Sequence, residues 1–295
     1  MKVKEWTISK IAHLSRTLHL TRFDSVFRKI YNPDKRQSDS IQTIIQTTDG
    51  IMLHVDTASY LEWTMFWYGV YEPMVKKLIA AFALPGSTMI DVGANVGIHS
   101  LVMAQVVGAS GRVYAFEPHP KIYRRLKENS VLNNFWWCIA EQMALSDKKG
   151  IGFLSNYNEQ DSNRGTAQVL ENDALVSSKF SIVLDTLDNF SKTRDVQNIC
   201  LIKIDVEGHE AAVLRGARAT IYLQRPVVIF ECTTQDSFDF CQTFFNEIDY
   251  VVHRLYYHDI DTDLALTFKI GNYVAIPRTE KNYVEHLKRR AAWKL

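Results

Sequence analysis

Residues 89–97 read MIDVGANVG, and Glu117, within AFEP at 115–118, follows the last of these glycines by 20 residues. An apolar run, an acid, two glycines and an asparagine form a strand-to-helix turn, because glycine reaches the positive φ values that tight turns demand. Asp91 ends the strand. Gly93 and Gly97 let the backbone bend close to a ligand, and a helix starting near Asn95 presents its free N–H groups. Glu117 ends the next apolar run, where a carboxylate accepts both hydroxyl hydrogens of a ribose. Together they outline a pocket shaped for a nucleoside.

Outward from this turn the chain alternates. TMIDV (88–92), RVYAF (112–116), WWCIAEQMAL (136–145), LIKID (201–205) and PVVIFEC (226–232) read as strands, with helices from Ile98, after Pro118 to about Val131, and over 207–216. Such alternation predicts a parallel, doubly wound sheet with right-handed crossovers. A helix over 240–248 and the strands YVVHRLYY and FKIGNYVAIP complete it. The polar stretch IGFLSNYNEQDSNRGTAQVLEND (151–173) is expected to be a long loop and a mobile lid over substrate, because loops of that length inside a compact domain are usually functional or disordered.

The turn discriminates between cofactors. Dinucleotide sites carry G-x-G-x-x-G with a helix dipole aimed at pyrophosphate, whereas this run is D-x-G-x-x-x-G. An anion is disfavoured beside Asp91, and a cofactor with a cationic amino-acid tail is not, so S-adenosylmethionine suits the turn better than NAD. An NAD(P)-dependent oxidoreductase is the alternative enzyme, separable by nicotinamide binding. A non-catalytic module that keeps the fold for a partner is the third reading, and the presence of the motif residues argues against it.

MIDVGANVGIHSL, GRVYAFEPHP, MALSD, TLD at 186–188, LIKIDVEGHEAAVLRGA and PVVIFEC together resemble the FkbM family of S-adenosylmethionine-dependent methyltransferases, over about 71–232. The resemblance implies an α/β, Rossmann-like, seven-stranded sheet (the class I methyltransferase fold) and methyl transfer to a hydroxyl of a sugar, glycan or related secondary metabolite. By motif match it places Asp91, Gly93, Asn95 and Gly97 at the methionine end of the cofactor. Glu117 falls at the ribose, and Leu145 with Ser146 at the adenine.

The chemistry such an enzyme must supply is in-line alignment of an acceptor oxygen, exclusion of water and removal of a proton. Asp205 ends the fourth strand beside the expected position of the methyl group and is the candidate that carries the proton or directs the hydroxyl. His209, with an ordinary pKa near 6.5, and Glu231, at the end of the fifth strand, are its candidate helpers. Glu207 is assigned to substrate hydroxyls and Glu210 to capping the following helix. Glu72, ahead of the first strand, is a candidate to close over the cofactor's amino group. Asp205, Glu207 and Glu231 also raise the question of Mg²⁺. No metal-ligand spacing accompanies them, so direct binding of substrate hydroxyls is preferred. Trp67, Tyr68, His99, Trp136 and Trp137 are read as packing residues.

Composition sets the limits. With 295 residues, 46% hydrophobic and 12% aromatic, the chain can bury a sizeable core. A net charge of +1 gives no reason to expect nucleic acid. No apolar stretch has the length of a membrane span and no signal peptide is evident, so a cytoplasmic location is expected. Cys138, Cys200, Cys232 and Cys241 show no paired spacing and fit structural thiols. The charge is nonetheless uneven: residues 1–36 carry nine Lys or Arg against three acids, a net +6, and the remainder sums to −5. Ile11, Leu14 and Leu18, then Phe23, Val26, Phe27 and Ile30, lie at helical spacing, with Thr21 and Asp24 as capping candidates. These amphipathic helices are expected to pack on the main domain, the alternative being a contact with a membrane surface or partner. Asp49-Gly50 between alternating runs predicts a type I′ hairpin. Residues 1–60 therefore read as an N-terminal extension and 61–295 as the methyltransferase domain.

Overall fold

The structure, a computed structural model, describes residues 3–18, 20, 23–32, 40–155, 168–170, 180–256, 260–261 and 267–278. The N-terminal part comprises α1 (Val3–Thr17), α2 (Asp24–Ile30), the hairpin β1 (Gln42–Gln46) and β2 (Met52–Asp56), α3 (Tyr60–Tyr68) and α4 (Pro73–Phe82). Next come β3 (Thr88–Val92), α5 (Ile98–Val107), β4 (Arg112–Phe116), α6 (Pro120–Leu132) and β5 (Cys138–Glu141). The short strands β6 (Ala144–Leu145), β7 (Gly150–Ser155), β8 (Gln168–Leu170) and β9 (Phe180–Asp185) follow. The C-terminal half holds α7 (Leu187–Arg194), β10 (Ile199–Ile204), α8 (Glu210–Gly216), α9 (Arg218–Gln224), β11 (Val227–Cys232) and α10 (Gln235–Glu247). It closes with β12 (Tyr250–Leu255), β13 (Ile260–Asp261) and β14 (Gly271–Pro277).

The main sheet runs β13-β12-β14-β11-β10-β3-β4-β5. From β5 to β11 every pairing is parallel; β14 is antiparallel to both β11 and β12, and β13 adds two residues at the edge. Seven strands with one reversed strand inserted near the edge make the class I methyltransferase sheet. Strand order reverses at β3, which lies between β4 and β10, and this is where open α/β sheets bind ligands beyond their carboxyl ends. Alternation along each strand divides the core between the two faces. Met89, Leu201, Val227 and Ile229 join α4, α5 and the N-terminal elements, while Ile90, Ile202, Val228 and Phe230 join α7 to α10.

Several expectations are corrected. The stretch 151–173 is not one loop: β7 and β8 belong to a second sheet, ordered β6-β9-β7-β8, with its own apolar cluster of Ala144, Leu154, Ile182 and Leu184. The expected third strand is split, because Cys138–Glu141 pairs in the main sheet and Ala144–Leu145 turns into the second. Residues 156–167 and 171–179 lie outside the described residues. The β1–β2 connection is no two-residue type I′ turn, since Gly50 has a positive φ of 86° and Asp49 does not. Asp49 is instead tied to Lys76 Nζ at 2.9 Å, and its carbonyl accepts from Gln105 at 3.1 Å. Helix α5 begins at Ile98, where its apolar periodicity starts, with Asn95 in the preceding turn, and α8 begins at Glu210 rather than Glu207. Trp136 is 68% exposed, with Arg112 over its ring, so it is not a packing residue.

The seating of α1 also differs from expectation. Ile8, Ala12, Ser15 and Arg16 face inward, and the Arg16 guanidinium donates to the carbonyl of Phe66 on α3, whereas Ile11, Leu14 and Leu18 are exposed. Ala12 permits close approach, and Phe66 O accepts from one guanidinium nitrogen of Arg16, while the buried Nε makes no hydrogen bond among the described residues. Phe27 of α2 stacks on Trp67 at 4.3 Å. The Phe23 that precedes α2 provides no side-chain cap, and Thr21 lies outside the described residues.

Candidate active site

A cleft opens at the carboxyl edge of β3, β4, β10 and β11. Its floor is set by strand register. Lys203 on β10 pairs with Asp91 on β3 on one side and Ile229 on β11 on the other, so Lys203 and Asp91 share a face. The period of two brings Asp205 and Glu231 to the same face, one pleat nearer the edge. Lys203 Nζ donates to Asp205 Oδ2 at 2.8 Å, and its side chain is 3% exposed. Burial alone would lower the lysine pKa, but the charges of Asp205, Asp91 and Glu72 outweigh it and hold the ammonium protonated. Asp91 is fully buried, accepts from Ser100 Oγ at 2.5 Å, and has a pKa raised by burial against the lowering effect of Lys203.

Sequence reasoning overlooked Lys203. The available signal was an ionisable residue inside the apolar run LIKID: a strand covered on both faces buries a lysine only where carboxylates meet it.

The turn after β3 is built around Glu117. Its two oxygens accept from the backbone N–H groups of Asn95 at 3.0 Å and His119 at 2.8 Å. Burial pushes its pKa up to about 7 against these two bonds. A carboxylate has about four lone-pair positions, so Glu117 retains acceptor capacity toward the cleft that it lines. His119, also in the wall, is lowered by burial to about 4 and is neutral at physiological pH.

Glu72 caps α4 with a left-handed backbone (φ 42°), and Asn272 Nδ2 donates to its Oε1 at 2.6 Å. Oε2 is buried and makes no hydrogen bond; it lies 3.5 Å from Nε2 of His99, which makes none either. Burial keeps His99 neutral and raises Glu72. An ammonium donor in the cleft would satisfy the orphaned Glu72 oxygen, so the residues present fit a cofactor with a cationic amino-acid end. Asn95 and Glu207 share the positive φ of Glu72, at 51° each. Left-handed non-glycine residues cost free energy and gather at ligand sites, and these three line one cleft.

Glu231 carries the most useful titration. Burial, the neighbouring charges of Asp205, Glu207 and Glu72, and a hydrogen bond with Asp205 raise it to about 8. Near neutral pH it holds a proton beside Asp205 and can exchange it. Tyr71, in the same wall, is raised by burial and stays a phenol. Among the described residues, no group of three His, Cys, Asp or Glu side chains is arranged to hold a metal ion.

The structure therefore brings Glu72, Gly93, Asn95, Glu117, Asp205, Glu207 and Glu231 to one cleft. Asp91, Gly97, Leu145, Ser146 and His209 stand outside its wall. His209 Nε2 shares a hydrogen bond with Ser146 Oγ at 2.9 Å, and neither residue lines the cleft. Leu145 is buried in the core under α7 to α9. The glycines serve the chain itself as well as any ligand: a Cβ on Gly93 would lie 1.8 Å from the carbonyl oxygen of Asp205, and one on Gly97 2.5 Å from Leu126 Cδ1. Leu154 and Val169 of the second sheet, within the stretch expected to be a loop, complete the wall.

Residues 91–258 match the methyltransferase FkbM domain. The hexuronic acid methyltransferase AglP of Haloferax volcanii is 30% identical over 147 residues, 49% of this chain and 56% of that protein, so the chain spans a little over half of that relative's length. Methyltransferase 1 of Beauveria bassiana is 26% identical over 188 residues, 58% of this chain and 74% of that protein. The crystal structure of a methyltransferase FkbM from Methylobacillus flagellatus KT aligns at 17% identity and a TM-score of 0.41, covering 73% of this chain and 54% of that one.

Proposed function

This chain belongs to the FkbM methyltransferase family, and from that premise we propose that it uses S-adenosylmethionine to methylate a hydroxyl of a sugar or glycan. The observation that carries the reading is the cleft at the β3/β10 reversal, where Glu117 and Glu72 present acceptor oxygens for a ribose and an ammonium group. When bound, the cofactor supplies an electrophilic methyl group on a sulfonium. The protein's share is alignment and proton handling. Asp205, anchored by Lys203, would orient the acceptor hydroxyl and take its proton, with Glu231 beside it as helper. Glu207 binds neighbouring hydroxyls, and Tyr71, Leu154 and Val169 exclude water.

A sugar acceptor is supported by the likeness to a hexuronic acid methyltransferase. A cytoplasmic setting agrees with four unpaired cysteines. Transfer of tritiated methyl from S-adenosylmethionine into fractionated cell extract tests the reading. Label should enter a glycosidase-sensitive fraction; label confined to protein or nucleic acid would reject the sugar acceptor.

The cofactor site has its own test. Glu117→Gln removes a charged acceptor, whose hydrogen bonds are worth roughly 1.5–3 kcal/mol each, so calorimetry should show S-adenosylmethionine binding about 10–100-fold more weakly. With a pKa of about 7 in the free protein, Glu117 must lose a proton to accept two ribose hydroxyls. Affinity should thus rise with pH up to about that value and then level, with fractional proton release at neutral pH that the variant lacks. Equal affinity in the two proteins would remove Glu117 from the site.

A further inference from the structure

We infer that the outer face of α1 and the start of α2 form a docking surface for an anionic lipid bilayer. Ile11, Leu14 and Leu18 are 38%, 56% and 57% exposed and recur at intervals of three and four, making one stripe along the helix. Phe23 and Val26, at the start of α2, are 44% and 45% exposed, and Trp6, on α1, is 53% exposed. The stripe lies away from the seat on α3, which is made by Ile8, Ala12 and Arg16. A run of exposed apolar side chains of this kind marks a contact surface.

Charge selects the occupant. Residues 1–36 carry a net +6 against −5 for the rest of the chain, and Lys10 and Lys29 are exposed beside the apolar positions. A basic helix with an aliphatic stripe and a flanking tryptophan lies in a headgroup interface, its apolar side chains among acyl chains and its cations on anionic lipid. Among the described residues no helix is long and apolar enough to cross a membrane, so the contact is peripheral. The surface also adjoins the cleft: Arg28 of α2 lies over the ring of Tyr60, 5.1 Å from its centroid, and Tyr60 lines the cleft. An acceptor carried at a bilayer surface would meet the cleft from that side. The docking surface itself stands independently of the methyl-transfer reading.

Co-sedimentation of the full chain with phosphatidylglycerol-containing vesicles, and with pure phosphatidylcholine vesicles, tests the inference. The anionic vesicles should be bound preferentially and less tightly as salt rises, because screening shortens the reach of the cations. The triple variant Ile11→Ser, Leu14→Ser, Leu18→Ser should bind at least about tenfold more weakly, given the transfer free energy of three aliphatic side chains. Lys10→Glu with Lys29→Glu should abolish the preference for anionic lipid. Unchanged melting and cofactor binding would show that each variant keeps its fold. Equal sedimentation of triple variant and wild type, or no preference for anionic vesicles, would overturn the proposal. So would a dimer in ultracentrifugation that the triple variant dissolves, because the stripe would then belong to a second copy.

Discussion

Lys203→Met should cost about 3–5 kcal/mol of stability, the usual penalty for deleting one partner of a buried ion pair. The ammonium is the counter-charge for Asp205, Asp91 and Glu72, and methionine fills the space while leaving the buried Asp91 and the half-buried Asp205 and Glu72 without it. Denaturant titration at neutral pH would measure the loss. Its pH dependence identifies the cause. Burial already holds Asp91 and Glu72 above their ordinary range, and Lys203 opposes that rise. Without the lysine their folded-state pKa values climb further. A buried acid raised in the folded state favours folding below its unfolded pKa of about 4 and forfeits that stability as pH rises through the folded value. Both proteins lose that stability alike from about pH 4, so the gap between them should open only as pH climbs through the raised wild-type folded values of Asp91 and Glu72. A gap that is absent, or flat with pH, would mean that Lys203 is not the counter-charge of this cluster.

Asp205→Asn should lower turnover on an identified acceptor by about 10²–10⁴-fold, the scale of a lost acid–base group, while S-adenosylmethionine binds nearly as before. Asparagine keeps the size and polarity but cannot take a proton. A second readout separates chemistry from packing. In the wild type the rate should rise with pH through about 8 as Glu231 deprotonates. In the variant one of the negative charges that raise Glu231 is gone, so the midpoint should move toward the ordinary carboxylate range. Full turnover with an unmoved midpoint would make Asp205 structural and leave the proton to other groups. Loss of wild-type activity to a chelator, restored by Mg²⁺, would instead assign the acids to a metal.

The strand-to-helix turn at 89–97, the acid at 117 and the acids at 205, 207 and 231 were legible because each is a local signal. A strand end, a glycine turn and the residue two places on are fixed by short-range backbone geometry. The same logic located β3, β4, β10 and β11, whose apolar runs reflect burial on both faces. It failed for β7 and β9, which contain serines and, in β7, two glycines, and whose pairing is decided by the hydrophobic cluster of the second sheet rather than by propensity.

By itself, then, the sequence determined the parallel core strands of the sheet and the acids that end them. Only tertiary structure decided which side chains share the cleft. It set Lys203 among three carboxylates, turned His209 away toward Ser146, enlisted Leu154 and Val169 as wall, and left Ile11, Leu14 and Leu18 exposed. Strand periodicity says on which face a residue lies. What meets it there depends on contacts between positions far apart in the chain, and on the cost of leaving a buried charge without a partner.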